Sequence, residues 1–187
     1  MFTPATCILI GINIVLFIAE SACGGSESNE VALRFGAQYT PYIRQGQWYR
    51  LFTSMFLHAG FIHLICNMYS LYNLGPALEV FFGIPIFTAL YLASGLSGNL
   101  VTYFSEKRSG HYTLSLGASG AVFGLLGSYL VLALWPDIGG VSLYGILHVL
   151  VINALYTFSN RKINARAHIG GLAAGVIITA AMLFFLT

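Results

Sequence analysis

The sequence predicts an all-α, polytopic membrane protein: a bundle of six transmembrane helices. Three observations predict it. Of 187 residues, 57% are apolar and 7% charged, where soluble domains carry roughly 25% charged residues. The apolar residues gather into six runs, each close to the roughly 20 residues that span a bilayer. No run alternates as a half-buried strand does, and backbone polar groups in lipid must be bonded internally, which makes these runs helices. Six spans consume most of the chain, so residues 1–187 read as a single membrane domain.

The first span runs from Ala5 to Ala22, with Glu20 near its end. A secretory signal places Lys or Arg ahead of the apolar stretch; none precedes Arg34 here, so the segment reads as a retained helix. The longest loop follows, from Gly24 to about Leu57, polar at first and then aromatic with Tyr39, Tyr42, Trp48 and Tyr49. Such rings suit the headgroup layer. The second span covers Gly60 to Phe82, and Gly83 with Pro85 forms the turn into the third, Pro85 to Phe104, since Pro favours the first helical turn. A polar loop from Ser105 to Leu116 leads to the fourth span, Gly117 to Trp135, which Pro136 and Gly139-Gly140 end. The fifth covers Val141 to Ser159, a short basic loop Asn160 to Arg166 follows, and the sixth runs from Ala167 to Thr187.

Eight Lys and Arg against six Asp and Glu give a formal charge of +2, too small and scattered for a nucleic-acid footprint. Cys7, Cys23 and Cys66 are odd in number and lie in or beside apolar runs, so they frame no disulfide scaffold.

Polar side chains inside spans mark function or helix packing. His63, Asn67 and Ser70 share one face of the second span, Ser119 starts the fourth and His168 starts the sixth. Even-numbered spans all begin on the same side, so these residues converge on one layer. A serine hydroxyl becomes a nucleophile when a base takes its proton, and Ser119 with His168 supplies that pair. Gly120 and Gly124 form a small-residue track on the fourth span, as Gly171 and Gly175 do on the sixth; such tracks let helix backbones approach closely. His63, Asn67 and the Ser119 N–H are candidate oxyanion donors. Phe123, one turn after Ser119, can hold the imidazole by stacking. His63 and Asn67 read equally well as an interhelical hydrogen-bonding pair.

The ordered set His58, His63 and Asn67 in FLHAGFIHLICNM, GASGAVFG around Ser119, and AHIGGLAAG around His168 resembles the rhomboid intramembrane serine proteases. That resemblance implies a six-helix bundle of rhomboid type in which Ser119 is the nucleophile, His168 the general base, and His63 with Asn67 the oxyanion donors. It implies catalysis without cofactor or metal on transmembrane protein substrates drawn from the lipid bilayer. Arg50 and Glu79 match the family's structural arginine and glutamate, and as a pair they would tie the aromatic loop to the helical core. Two positions depart from the family pattern: Tyr49-Arg50 replaces Trp-Arg, and Phe123 replaces a common Tyr.

Other proteolytic chemistries fail on the letters. Asp137 is the only aspartate, no H-E-x-x-H occurs, and Gly117 to Ala121 breaks G-x-S-x-G at its last position. The rival reading is a small transporter or channel, or a non-catalytic membrane-helix-binding protein. Transporters often carry paired, interrupted repeats, and none is visible here. His58, His111 and His148 read as structural or solvated, and Asn13, Asn99 and Asn153 as packing groups. All Lys and Arg lie in the loops after spans one, three and five, which the positive-inside rule would make cytoplasmic. The resemblance implies the reverse, with the site opening to the outer face. Oligomeric state has no signature in the sequence.

Overall fold

A computed structural model of the chain describes residues 3–135, 142–149, 151 and 164–186. The regular structure among them is helical, apart from one isolated antiparallel bridge between Gln38 and Ser115. Helix α1 is Pro4–Ala22, and the long loop after it folds into three short helices, α2 (Asn29–Phe35), α3 (Thr40–Arg44) and α4 (Arg50–Thr53), with a 3₁₀ turn at Ser54–Phe56. Then come α5 (Phe61–Phe82), α6 (Ile84–Ser109), α7 (Ser119–Ala133) and a final helix, α8 (Ala165–Leu186).

Among the described residues, α1, α6 and α8 are each long and apolar enough to cross a membrane. Helix α5 qualifies together with the Arg50–Phe56 segment, from which it is bent by 90°. Helix α7 has 15 residues, a length of about 22 Å at 1.5 Å per residue, short of a hydrocarbon core of roughly 30 Å. The fifth expected span lies outside the described residues except for 142–149 and 151, where 143–149 and 151 are helical.

Two boundaries differ from the sequence reading. The expected loop from Gly24 to Leu57 is largely short helices, and α6 continues past Phe104 to Ser109. The continuation has a reason: Glu106 is fully buried within it and accepts hydrogen bonds from Thr40 Oγ1 at 2.7 Å and Thr113 N at 3.0 Å. A carboxylate thus joins the last turn of α6 to the loops on either side, and Gly110, at φ +73°, ends the helix.

The centre of the molecule is a three-helix contact of α6, α7 and α8 made on backbone. A Cβ on Gly171 would overlap the Gly120 carbonyl, one on Gly175 the Gly124 carbonyl, and one on Gly98 of α6 the Ala167 carbonyl. Without side chains between them, the helices gain dispersion contacts and interhelical bonding that lipid cannot replace. Gly171→Val is therefore expected to lower stability by about 3 kcal/mol or more, because the neighbour is backbone and cannot swing aside. Gly11→Val is the control, since nothing lies within 4 Å of a Cβ there. Thermal melting in detergent checks both; equal melting temperatures would refute the tight contact.

Candidate active site

Ser119 is the first residue of α7, with Ala118 as N-cap. The first intrahelical bond there is made by Val122 N to Ala118 O at 3.0 Å. The N–H groups of Ser119, Gly120 and Ala121 therefore precede the helical ladder, at the end where the helix dipole favours negative charge. The approach to Ser119 turns at Gly117, whose φ of +129° disfavours any L side chain. Gly117 N also donates to Ser54 O at 2.9 Å, which fixes this turn against the end of the long loop.

His168 lies in the first turn of α8, and the glycine contact brings that turn against the start of α7. Ser119 Oγ and His168 Nε2 are 2.8 Å apart, a full hydrogen-bonding distance. Phe123 stacks on the imidazole with ring centroids 4.1 Å apart and 13° between planes. His168 and Phe123 are buried and Ser119 is half-buried, so the base is held by a packed ring beside a residue that is not closed off.

His63 and Asn67 occupy one face of α5. The His63 ring lies against the Gly117 turn, where a Cβ would come 2.7 Å from Cε1 and 2.8 Å from Nε2. Asn67 is buried and donates one amide hydrogen back to His63 O at 3.0 Å. Ser70, half-buried, donates to Cys66 O within its own helix at 2.8 Å. His58 is fully buried with its ring edge-on to His63, centroids 5.1 Å apart. Its backbone N–H donates to the buried Glu20 carboxylate at 3.2 Å. His58 thus supports the wall behind His63.

The expected Arg50–Glu79 pair does not form. Arg50 Nη1 donates to Leu33 O at 2.8 Å and Ala37 O at 3.0 Å, Arg50 Nε donates to Gln47 Oε1 at 2.7 Å, and its guanidinium lies over the Tyr42 ring at 5.0 Å. Glu79 accepts from Ala5 N at 2.9 Å, Thr6 N at 2.7 Å and Thr6 Oγ1 at 2.7 Å. The reason is distance along α5: Glu79 sits about 27 Å beyond Phe61 at 1.5 Å per residue. It therefore meets the N-terminus of α1, whose free N–H groups need an acceptor where water is scarce. Arg50 instead braces the loop from within.

The Tyr49 departure has a comparable resolution. Both rings are exposed: Trp48 packs edge-on against Tyr103 at 5.4 Å, and Tyr49 lies under the Arg50 guanidinium at 5.4 Å. Asn99 serves packing, donating to Leu51 O at 2.7 Å and Ser54 Oγ at 2.9 Å. Asn13 bonds Leu9 O within its own helix, and Asn153 lies outside the described residues. His111 and His148 are exposed. Among the described residues no cluster of His, Cys, Asp or Glu is arranged to hold a metal.

Two site features escaped the sequence reading. Gly117, read as the first residue of the fourth span, instead lies in the turn before α7 with φ +129°, a conformation glycine adopts without steric cost. The glycines of α6, Gly95 and Gly98, form a third small-residue face; their spacing with Ser94 was the available signal.

A short apolar helix headed by a serine, against a glycine-faced helix headed by a histidine, defines a class of integral membrane protein. The sequence model of the Rhomboid domain matches residues 45–185, and the chain belongs to the rhomboid family. It is 36% identical over 179 residues to Rhomboid protease GluP of Bacillus subtilis (strain 168), covering 95% of this chain and 34% of that one. With YdcA of the same organism it shares 38% over 143 residues, 75% of this chain and 70% of that one. Rhomboid-like protease 1 of Toxoplasma gondii is 32% identical over 190 residues, 91% of this chain and 62% of that protein. The chain thus spans about a third of the length of GluP.

Proposed function

We propose that this chain is a rhomboid-type intramembrane serine endopeptidase, a single membrane domain of six transmembrane helices. On this reading it cleaves a peptide bond in or beside the transmembrane segment of another membrane protein. The observation that carries the reading is the 2.8 Å contact between Ser119 Oγ and His168 Nε2. The protease names of its relatives support it.

His168 Nε2 takes the hydroxyl proton as Ser119 Oγ bonds to the substrate carbonyl carbon, and the carbonyl π electrons move onto oxygen. The resulting oxyanion meets the free N–H groups at the head of α7 together with His63 and the second amide hydrogen of Asn67, donors that gain strength where water is excluded. Collapse breaks the C–N bond, and the imidazolium gives its proton to the leaving amine. Water then attacks the Ser119 ester, with His168 taking and returning a proton, and carboxylic acid product leaves. Phe123 keeps the ring aligned through both halves. No step calls for a cofactor or a metal.

A helix withholds its peptide bonds from attack, so a substrate segment has to unwind locally, and Gly or Pro near the cut favours that. A small residue before the cut is the expected preference. The site opens to the outer face on this reading. The Lys and Arg bias of the loops runs the other way.

A fluorophosphonate probe tests the assignment. Wild type is expected to be labelled and Ser119→Ala not. Equal labelling of the two would remove Ser119 as nucleophile.

A further inference from the structure

One side chain outside the Ser119 group touches both chain segments that deliver it. Asn164 Oδ1 accepts from Ala167 N at 3.2 Å, capping α8. Its Nδ2 donates to Ser115 Oγ at 2.8 Å and to Thr102 Oγ1 at 2.9 Å. Thr102 Oγ1 gives its own proton to Gly98 O at 3.0 Å, so it meets Asn164 purely as an acceptor. Ser115 is fixed from its other side by the paired backbone bonds with Gln38, at 2.9 and 3.0 Å. Asn164 stands four residues before His168, and Ser115 four residues before Ser119.

The arrangement answers a need that the glycine faces create. Backbone against backbone brings α7 and α8 close, and the side-chain bond from Thr179 Oγ1 to Ser128 Oγ at 2.8 Å keys them more than two turns away from Ser119 and His168, which leaves the slide at the paired end to be fixed separately. A slip of about 1 Å between reacting groups can cost about 100-fold in rate. A planar amide with one acceptor aimed along α8 and two N–H donors aimed at α6 and at the segment before α7 fixes that slide at the end where it matters. Ser reproduces the cap but is too short to span to Ser115 and Thr102; Asp has the length and lacks the donors.

We propose that Asn164 is a positioning residue for the Ser119–His168 pair, setting the axial register of α8 against α7. The proposal rests on the reading of those two residues as nucleophile and base. Asn164→Ser is the informative variant, because Ser caps helices as well as Asn does. The full chain in detergent is followed by three measurements: melting temperature, rate of fluorophosphonate labelling of Ser119 per folded molecule, and kcat and KM on a membrane-embedded reporter. Asn164→Ser is expected to melt near wild type, while labelling and kcat fall about 10- to 100-fold and KM holds. Asn164→Ala is expected to show the same loss of rate with a lower melting temperature. Ser115→Ala combined with Asn164→Ser is expected to be no slower than Asn164→Ser alone, the mark of one shared contact.

Wild-type labelling by folded Asn164→Ser would overturn the proposal. So would rate losses that multiply in the double variant, or a loss that merely tracks the unfolded fraction. Ser119→Ala is carried alongside: if it is labelled like wild type, the reading of the nucleophile has failed, and the clamp with it for that separate reason.

Discussion

Ser119→Ala and His168→Ala are each expected to lower kcat by about 10⁴-fold or more, and the double variant is expected to be no slower than either. A nucleophile and its base act as one unit, and in serine proteases loss of either member costs nearly as much as loss of both. Here the unit is the 2.8 Å contact backed by the Phe123 ring. The activity that survives reflects the oxyanion donors and substrate binding alone. Ser119→Ala should fold nearly as wild type, since Ala is a better helix former than Ser and the loss is one hydrogen bond worth about 1 kcal/mol; His168→Ala also loses its stacking on Phe123, so rates are read per folded molecule. Single-turnover cleavage of a reporter reconstituted in lipid, with melting temperatures measured beside it, checks the expectation. Losses that multiply in the double variant would mean that the two residues work independently, which the dyad reading does not survive.

His63→Ala is expected to lower kcat about 100-fold to 1000-fold, the cost of one preorganised oxyanion donor in a dry site, with KM and melting temperature nearly unchanged. The contact of the His63 ring with Gly117, two residues before Ser119, motivates this. The N–H groups at the head of α7 and the Asn67 amide remain, which sets the loss below that of the dyad. A companion variant reads the same geometry from the other side. Gly117→Ala puts a Cβ within 2.8 Å of His63 Nε2 on a backbone with φ +129°, so the ring has to move and kcat should fall in the same direction. If His63 were only a packing group, His63→Ala would lose about 1 kcal/mol of interhelical bonding and keep its turnover per folded molecule. That outcome would leave the oxyanion donors to α7 and Asn67.

Much of the helical architecture is legible in the sequence. The spans beginning at Ala5, Gly60, Pro85 and Ala167 lie within one or two residues of the starts of α1, α5, α6 and α8, because membrane insertion depends on local composition and length. Gly83 and Pro85 mark the α5–α6 turn for an equally local reason, and the glycine tracks of α7 and α8 follow from helical period alone. Ser119, His168 and His63 do lie near one another, whereas the six crossings from which the sequence reading places them on one side are not all among the described residues, and their roles remain the proposal tested above.

Other features depended on where distant chain ends meet. Arg50 and Glu79 were matched as a pair, yet the length of α5 separates them, so each bonds free backbone at its own end of the molecule. The run of α6 to Ser109 was hidden because charged residues at its end looked like loop, and only burial of Glu106 against Thr40 and Thr113 makes them helical. Gly98 becomes a close-approach position only because Ala167 of α8 lies against it, and Gly95 because Met55 and, on α7, Ala121 do. Asn164 read as part of a basic loop until Ser115 and Thr102 came within reach. The sequence by itself determined the long apolar helices and the small faces of α7 and α8, since period and hydropathy act over a few residues. The tertiary structure decided which polar groups find one another, since a hydrogen bond depends on positions fixed by helices far apart in the chain.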